Sequence, residues 1–493
     1  MDNNGRAPLY ERLQQAYFQR ASRFHVPGHK GGRGLVSEVK GIFEDVMEID
    51  YTEVTGLDDL HHPQGVIQEA QQLAAACFGA EATFFLVNGS TVGNLALILS
   101  VCQRNDLVLV QRNVHKSILH GLMLAGAQSV FLPPQIDPTT GIAAGVSLKV
   151  VEQALLKYPE ARAVILTNPN YYGMGNDLNG ISELVHSYGK PLIVDEAHGA
   201  HFGFHPELPG SALSMGADAV VQSTHKMLSA LTMGSMLHIQ GERIDREKTA
   251  ALLAMLQSSS PSYPIMASLD LCRASLENHG EQLFAAGLRR SKAIKEKIST
   301  DMPWFSLVQE EKASEAYDYI DPFKITIRDA TGTLNGYELQ QQLEDKECLA
   351  EMADPDYALL VCSYATSSAD TDHLFQALKD ITSKFDLRKK EKAETAANNV
   401  RPSYFPPIIT PVSFDMSMLS QAPSLKQAKT LQEAVGWRSA ESIIPYPPGI
   451  PVIYPGEVIT EELIAYLNVM IKTGARFQGE QKLAEGIIHV LKG

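Results

Sequence analysis

PLIVDEAHGAHFG, residues 191–203, and DAVVQSTHKML, residues 218–228, are two apolar runs that each end in a group costly to bury, a carboxylate at Asp195 and an amine at Lys226. Val, Ile and Leu without alternation are expected of parallel strands covered on both faces. The spacing, 226 minus 195 or 31 residues, accommodates a crossover helix and the next strand. Working outward, TFFLV from 83, DLVLV from 106, SVFLP from 129 and RAVILT from 162 repeat the pattern between amphipathic segments. That rhythm is βαβ and predicts an α/β fold, whose ligands sit at the carboxyl ends of the strands.

Beyond this unit the pattern predicts helix from about 245 to 300, then a smaller α/β lobe with strands in DPFKITIRD (321–329) and DYALLVCSYA (356–365). DLRKKEKAETAANNV (386–400) lacks a sustained apolar face and reads as a linker or exposed helix end. The proline-rich IIPYPPGIPVIYPGE (443–457) is too apolar for a flexible linker and belongs to a last domain. The expected divisions are an N-terminal segment 1–70, a large domain 71–300, a small domain 301–385, a linker 386–400 and a C-terminal domain 401–493.

The 493 residues are 44% apolar and 20% charged, without a run long and apolar enough to span a membrane. The polar N-terminus lacks a secretory signal, and five scattered cysteines form no C-x-x-C pair, so a cytoplasmic protein without disulfides or thiolate zinc is expected. Net charge is 42 minus 57, or −15, which disfavours a nucleic-acid partner.

Four features fall at predicted strand ends. Asn88-Gly89-Ser90-Thr91 opens a helix, where small residues, backbone N–H groups and hydroxyls suit a phosphate; the same loop also reads as an ordinary cap. His115, in RNVHKSILHGL, stands where a strand hands over to a helix and could cover a flat ligand, or serve only as a cap. Asp195 needs a cationic partner to stay ionised, unless it is a structural carboxylate beside a solvated Glu196. Lys226, among Ser223, Thr224 and His225, becomes a nucleophile toward an aldehyde once water is scarce, though most lysines are solvated. Together they match the needs of pyridoxal 5′-phosphate: a phosphate anchor, a stacking ring, a carboxylate for the pyridine nitrogen and an amine for the aldehyde. A different class is conceivable, a metal-dependent hydrolase built on Asp195, Glu196, His198, His201 and His205, with His198 and His201 spaced for one helix face. It leaves Lys226 unexplained, and no metal is expected.

Seven ordered motifs, FHVPGHKGG (24–32), EVTGLDDLHHPQG (53–65), FFLVNGSTVGN (84–94), RNVHKS (112–117), VDEAHGAH (194–201), STHKML (223–228) and PYPPGIPVIYPGE (445–457), make the chain resemble the bacterial Orn/Lys/Arg decarboxylases. The resemblance covers nearly the whole chain. It implies the fold-type-I, aspartate-aminotransferase-like architecture, with a mostly parallel seven-stranded sheet in the large domain and smaller α/β and C-terminal domains. It makes Lys226 the Schiff-base lysine, Asp195 the partner of the pyridine nitrogen and His115 the stacking ring, with His225 also placed among the catalytic residues. Gly89, Ser90, Thr91, Ser223 and His225 would hold the phosphate, and Ala197 and His198 would lie by the ring, although some larger members carry Trp where His198 stands. Glu457 would help bind the substrate's basic end, as Asp58 and Asp59 also could, and the N-terminal segment would contribute to the active site. The implied reaction is decarboxylation of arginine to agmatine, then of lysine or ornithine in order of preference, for polyamine synthesis; a fold-type-I aminotransferase or aldolase shares the same constellation. FHVPGHKGG begins only 24 residues in, so the short type without an N-terminal wing is expected, as a homodimer or higher even assembly with sites at the subunit interface.

Overall fold

A computed structural model describes all residues except 1–4, 37–40, 42, 310–313, 391–410, 420–425, 447–448, 479–480 and 493. The chain divides into two compact units. One takes Met1–Gln103, Arg162–Asn168 and Leu178–Leu283, the other Arg104–Ala161, Pro169–Asp177 and Phe284–Gly493.

In the first unit five strands lie in the order Ala82–Leu86, Ser235–Ile239, Ala219–Gln222, Leu192–Asp195 and Val164–Thr167. The last three are parallel, in a register that pairs Thr167 with Asp195 and Asp195 with Val221. Every residue of Leu192–Asp195 and Ala219–Gln222 is buried, as expected of strands covered on both faces. Ser235–Ile239 runs antiparallel to both of its neighbours, so Ala82–Leu86 is paired antiparallel, which the βαβ rhythm did not predict. Its sequence, SMLHI, escapes recognition because two polar residues interrupt the apolar run; inside the sheet Ser235 and His238 are nevertheless fully buried.

The helix Gly89–Val101 lies close against this sheet because Gly93 has no side chain. A Cβ there would come within 2.8 Å of Leu86 Cδ1 and 3.0 Å of Val221 Cγ1. At the N-terminus, helix Pro8–Gln19 packs on helix Val66–Phe78. Leu9, Leu13, Ile67, Phe85, Met236, Tyr263 and Leu269 share one core there. Helices Arg246–Leu256 and Tyr263–Asp301 fill the expected helical stretch, the second broken at Gly280 by non-helical backbone.

In the second unit Leu107–Gln111 and Gln128–Leu132 pair in parallel, and Val412–Ser413 adds antiparallel to the latter. Among the described residues these three strands and the five above number eight where seven were expected. The small lobe has an antiparallel sheet in the order Met352–Ala353, Ala358–Val361, Lys324–Asp329, Phe305–Leu307. The C-terminal region pairs Lys426–Thr430 with Ile487–Leu491 and packs helix Glu461–Thr473 on a core that includes Ile453, Leu463 and Leu467. Of the expected linker, Leu387–Lys389 form a 3-10 turn, while 391–400 lie outside the described residues, as do 401–410 at the start of the expected last domain.

Candidate active site

The first unit brings most of the expected site residues to adjoining strand ends. Gly89 adopts φ +75, in the left-handed region that favours glycine, and nothing lies within 4 Å of where its Cβ would be. Ser90 and Thr91 follow in the first turn of Gly89–Val101, the end of a helix that carries partial positive charge. The Ser223 hydroxyl donates to Ser90 Oγ at 2.7 Å, joining the turn after Ala219–Gln222 to the turn after Ala82–Leu86.

Lys226 stands on the short helix Thr224–Met227, and its Nζ is 3.1 Å from His198 Nε2. His225 Nδ1 is 3.0 Å from the Gly234 carbonyl, to which it donates, and its backbone N–H donates to the same oxygen at 3.1 Å. Asp195 is 3% exposed. Its Oδ2 accepts from Asn94 Nδ2 at 3.0 Å and its Oδ1 from the Ala197 backbone N–H at 3.2 Å. Burial raises the Asp195 carboxyl above the ordinary range, opposed by the Lys226 charge and then by these donors. A buried carboxylate so placed favours a further cation, such as a protonated pyridine nitrogen. The residues present therefore fit pyridoxal 5′-phosphate.

Three details depart from expectation. Glu196 is fully buried, not solvated: Oε2 accepts from Ser211 Oγ at 2.8 Å and Gln222 Nε2 at 2.7 Å, and Oε1 from the Ala212 N–H at 2.7 Å. The 196–204 stretch is a series of turns, with Gly203 at φ +84, so His198 and His201 share no helix face. Glu196 and His198 thus have partners other than a metal, and no group of three or more His, Cys, Asp or Glu among the described residues is arranged around a cation. Thirdly, Asp58 is engaged by the chain itself. In the left-handed region at φ +69, its carboxylate accepts backbone N–H groups from Asp59, Gln64, Gly65, Ile67 and Gln68 at the start of helix Val66–Phe78. Asp59 Oδ1 accepts the His61 N–H at 2.8 Å.

His115 and Glu457 belong to the second unit. His115 caps helix Lys116–Ala125: its Nδ1 accepts the Ser117 N–H at 3.2 Å and lies 2.9 Å from Ser117 Oγ, which leaves the proton of the neutral ring on Nε2. Glu457 Oε2 is 2.9 Å from Arg112 Nη2. Sequence reasoning missed Asn94 and Arg112. Both stand in the quoted motifs, but which way their side chains turn is set by packing.

Comparison with known proteins bears on family and fold. The Orn/Lys/Arg decarboxylase major domain matches residues 7–370 and the C-terminal domain of the same family matches residues 423–492. An uncharacterised Bacillus subtilis protein, YaaO, is 42% identical over 485 residues, 97% of each chain, and the arginine decarboxylase of that organism is 34% identical over 98% of each chain. Among solved structures, the Francisella novicida lysine decarboxylase LdcF superposes with a TM-score of 0.83 at 21% identity, over 99% of this chain and 81% of that one, which shows the shared fold. With a strand-end carboxylate, a nearby lysine and this extent of similarity, the chain belongs to the Orn/Lys/Arg decarboxylase family.

Proposed function

We propose that this protein is a carboxy-lyase that removes the α-carboxylate of a basic L-amino acid with pyridoxal 5′-phosphate as cofactor. Arginine to agmatine is the favoured reaction, ahead of lysine to cadaverine and ornithine to putrescine, with polyamine synthesis as its use. The observation that carries the chemistry is Asp195, buried, held by Asn94 and Ala197, and under the charge of Lys226. The order of substrates is supported by the 34% identical relative named arginine decarboxylase.

Lys226 would hold the cofactor's aldehyde carbon, Asp195 its ring nitrogen, and Gly89, Ser90, Thr91, Ser223 and His225 its phosphate; His115, Ala197 and His198 would face the ring. When bound, the cofactor supplies an electron sink for the negative charge left at the substrate's Cα as CO2 departs. Asp195 acts there by holding a proton on the ring nitrogen in a buried setting, where a fixed charge acts most strongly. The His225 Nδ1–H is directed to the Gly234 carbonyl, so only a doubly protonated ring would carry a proton on Nε2, whereas the Lys226 ammonium carries three. We therefore assign return of the proton to Cα to Lys226, with His198 Nε2 at 3.1 Å as its exchange partner.

The protein is read as cytoplasmic and as a homodimer or higher even homo-oligomer with sites at the subunit interface. Free cysteines and the absence, among the described residues, of a helix able to cross a membrane accord with the first. The second draws support from Phe18, Phe24, Val26, Val36 and Phe43, all exposed, with Phe24 at 96%.

The test is the near-visible absorbance of purified protein with added pyridoxal phosphate, borohydride fixation mapped to a peptide, and product analysis with arginine, lysine and ornithine separately. A yellow band fixed on Lys226, with CO2 and agmatine from arginine, is expected. Cadaverine or putrescine instead would correct the substrate, and a protein that stays colourless would overturn the proposal.

A further inference from the structure

The second unit contains a buried cation to which the chemistry above gives no role. Arg112, just past the strand Leu107–Gln111, has a side chain only 2% exposed. Its Nη1 donates to the Pro451 carbonyl at 2.9 Å, and its Nη2 to the Val452 carbonyl at 3.1 Å and to Glu457 Oε2 at 2.9 Å. The guanidinium lies 4.5 Å from the centre of the Tyr454 ring and 5.5 Å from that of Phe131. Glu457 Oε2 also accepts the Tyr454 backbone N–H at 3.3 Å, which closes the turn around the cation. Burial raises the Glu457 carboxyl above its ordinary range, with Arg112 opposing that shift. Such a pair adds little net stability, because desolvation offsets the attraction; what it fixes is geometry.

The geometry it fixes is that of His115. Four residues after Arg112, the Lys116 N–H donates to the Gly449 carbonyl at 3.2 Å, and Lys116 Nζ donates to Gln478 Oε1 at 2.6 Å. Gly449 has φ +86, and a Cβ there would stand 3.4 Å from His115 Nε2. The turn 112–116 is therefore tied to the C-terminal region at both ends, and His115 lies between the ties. Glycine at 449 lets the backbone approach the imidazole closely.

We propose that Arg112 is a positioning residue: by gripping the 451–457 turn through Pro451, Val452 and Glu457 it seats Gly449 against His115 and so fixes the ring that His115 presents to the cofactor. This rests on the reading that His115 covers the cofactor, and it gives Glu457 a partner within the chain in place of the substrate's cation. A planar, bidentate donor is required, because lysine offers one point charge where the fork reaches two carbonyls and a carboxylate.

The test uses full-length protein loaded with pyridoxal phosphate, comparing wild type with Arg112→Leu, Arg112→Lys, Glu457→Gln and Gly449→Ala. Cofactor dissociation, the position of its near-visible band, limited proteolysis of the C-terminal region, and kcat and KM are read separately. Arg112→Leu is expected to weaken cofactor retention and lower kcat by about tenfold each, with KM moving less than about threefold, and Arg112→Lys to restore only part of this. Gly449→Ala keeps the ion pair, so it tests the same contact if Arg112→Leu fails to fold; a shifted band is expected in the folded protein, beside the loss of stability that a side chain at φ +86 brings. The proposal is overturned if Glu457→Gln raises KM about tenfold while kcat and cofactor retention stay put, which would make Glu457 a substrate group. Unchanged cofactor retention and band position in both Arg112→Leu and Gly449→Ala would overturn it as well. Retention and band position need no turnover, so a wrong substrate assignment is distinguishable from a wrong role for Arg112.

Discussion

Asp195 illustrates how one side chain combines legible chemistry with hidden support. The sequence places it at the end of an apolar strand, but only packing shows that Asn94 Nδ2 reaches its Oδ2 at 3.0 Å. Asp195→Asn keeps the shape and removes the charge, so kcat should fall by about 10²–10³, the loss typical when one electrostatic partner of a developing charge is deleted. Asn94→Leu leaves the carboxylate one donor short in a buried site. It should cost about 1–3 kcal/mol of folding stability and lower kcat by a smaller factor than Asp195→Asn; steady-state kinetics and thermal unfolding on the same preparations check the order. A finding that Asn94→Leu costs more activity than Asp195→Asn would show that Asn94 acts otherwise than through Asp195.

At the scale of elements, a row of polar side chains crosses the sheet. Thr83 Oγ1 is 2.8 Å from His238 Nδ1, His238 Nε2 is 3.1 Å from Gln222 Oε1, and Gln222 Nε2 donates to Glu196 Oε2 at 2.7 Å. Burial pushes the Glu196 carboxyl up to about 7 from 4.5, and pushes the His238 imidazole down to about 3 from 6.5. The folded chain therefore holds a proton on Glu196 between 4.5 and about 7 that the unfolded chain has released, so stability from this group falls as pH rises through that window. The unfolded chain holds a proton on His238 between about 3 and 6.5 that the folded chain lacks, so stability from this group rises with pH there. From 4.5 to 6.5 the two slopes oppose and nearly cancel. Glu196→Gln should unmask the His238 slope, about 1.4 kcal/mol of added stability per pH unit, and His238→Asn the opposite slope. Denaturation midpoints at pH 5.0 and 6.5 read both signs, and equal slopes in the two variants would refute the pairing. Nothing in SMLHI announces this row, since an isolated histidine in a strand reads as an exposed polar residue.

For the whole molecule, the cofactor should act as a stabilising ligand. Binding only to the folded state adds about 2.7 kcal/mol at a hundred times the dissociation constant, so the melting temperature should rise with added pyridoxal phosphate. Lys226→Ala should lose most of that rise, and a rise as large as that of wild type would place the cofactor's main anchor elsewhere.

The sequence by itself determined that six apolar runs become strands, that the fold is α/β, and that Gly89, Asp195, Ser223 and Lys226 stand at strand ends, because burial on both faces leaves a one-dimensional signature of Val, Ile and Leu broken by turn residues. The motifs carried the family. Tertiary structure alone decided that Ser235–Ile239 enters antiparallel, that Asn94 turns to Asp195, that Glu196 is buried, and that Asp58 and Glu457 have partners within the chain. Asp58 closes on backbone within ten residues of itself, but Asn94 and Asp195, like Arg112 and Glu457, meet from far apart along the chain. Pairings between distant residues leave no periodicity in either segment; they arise only when packing removes water and forces each buried polar group to find a partner.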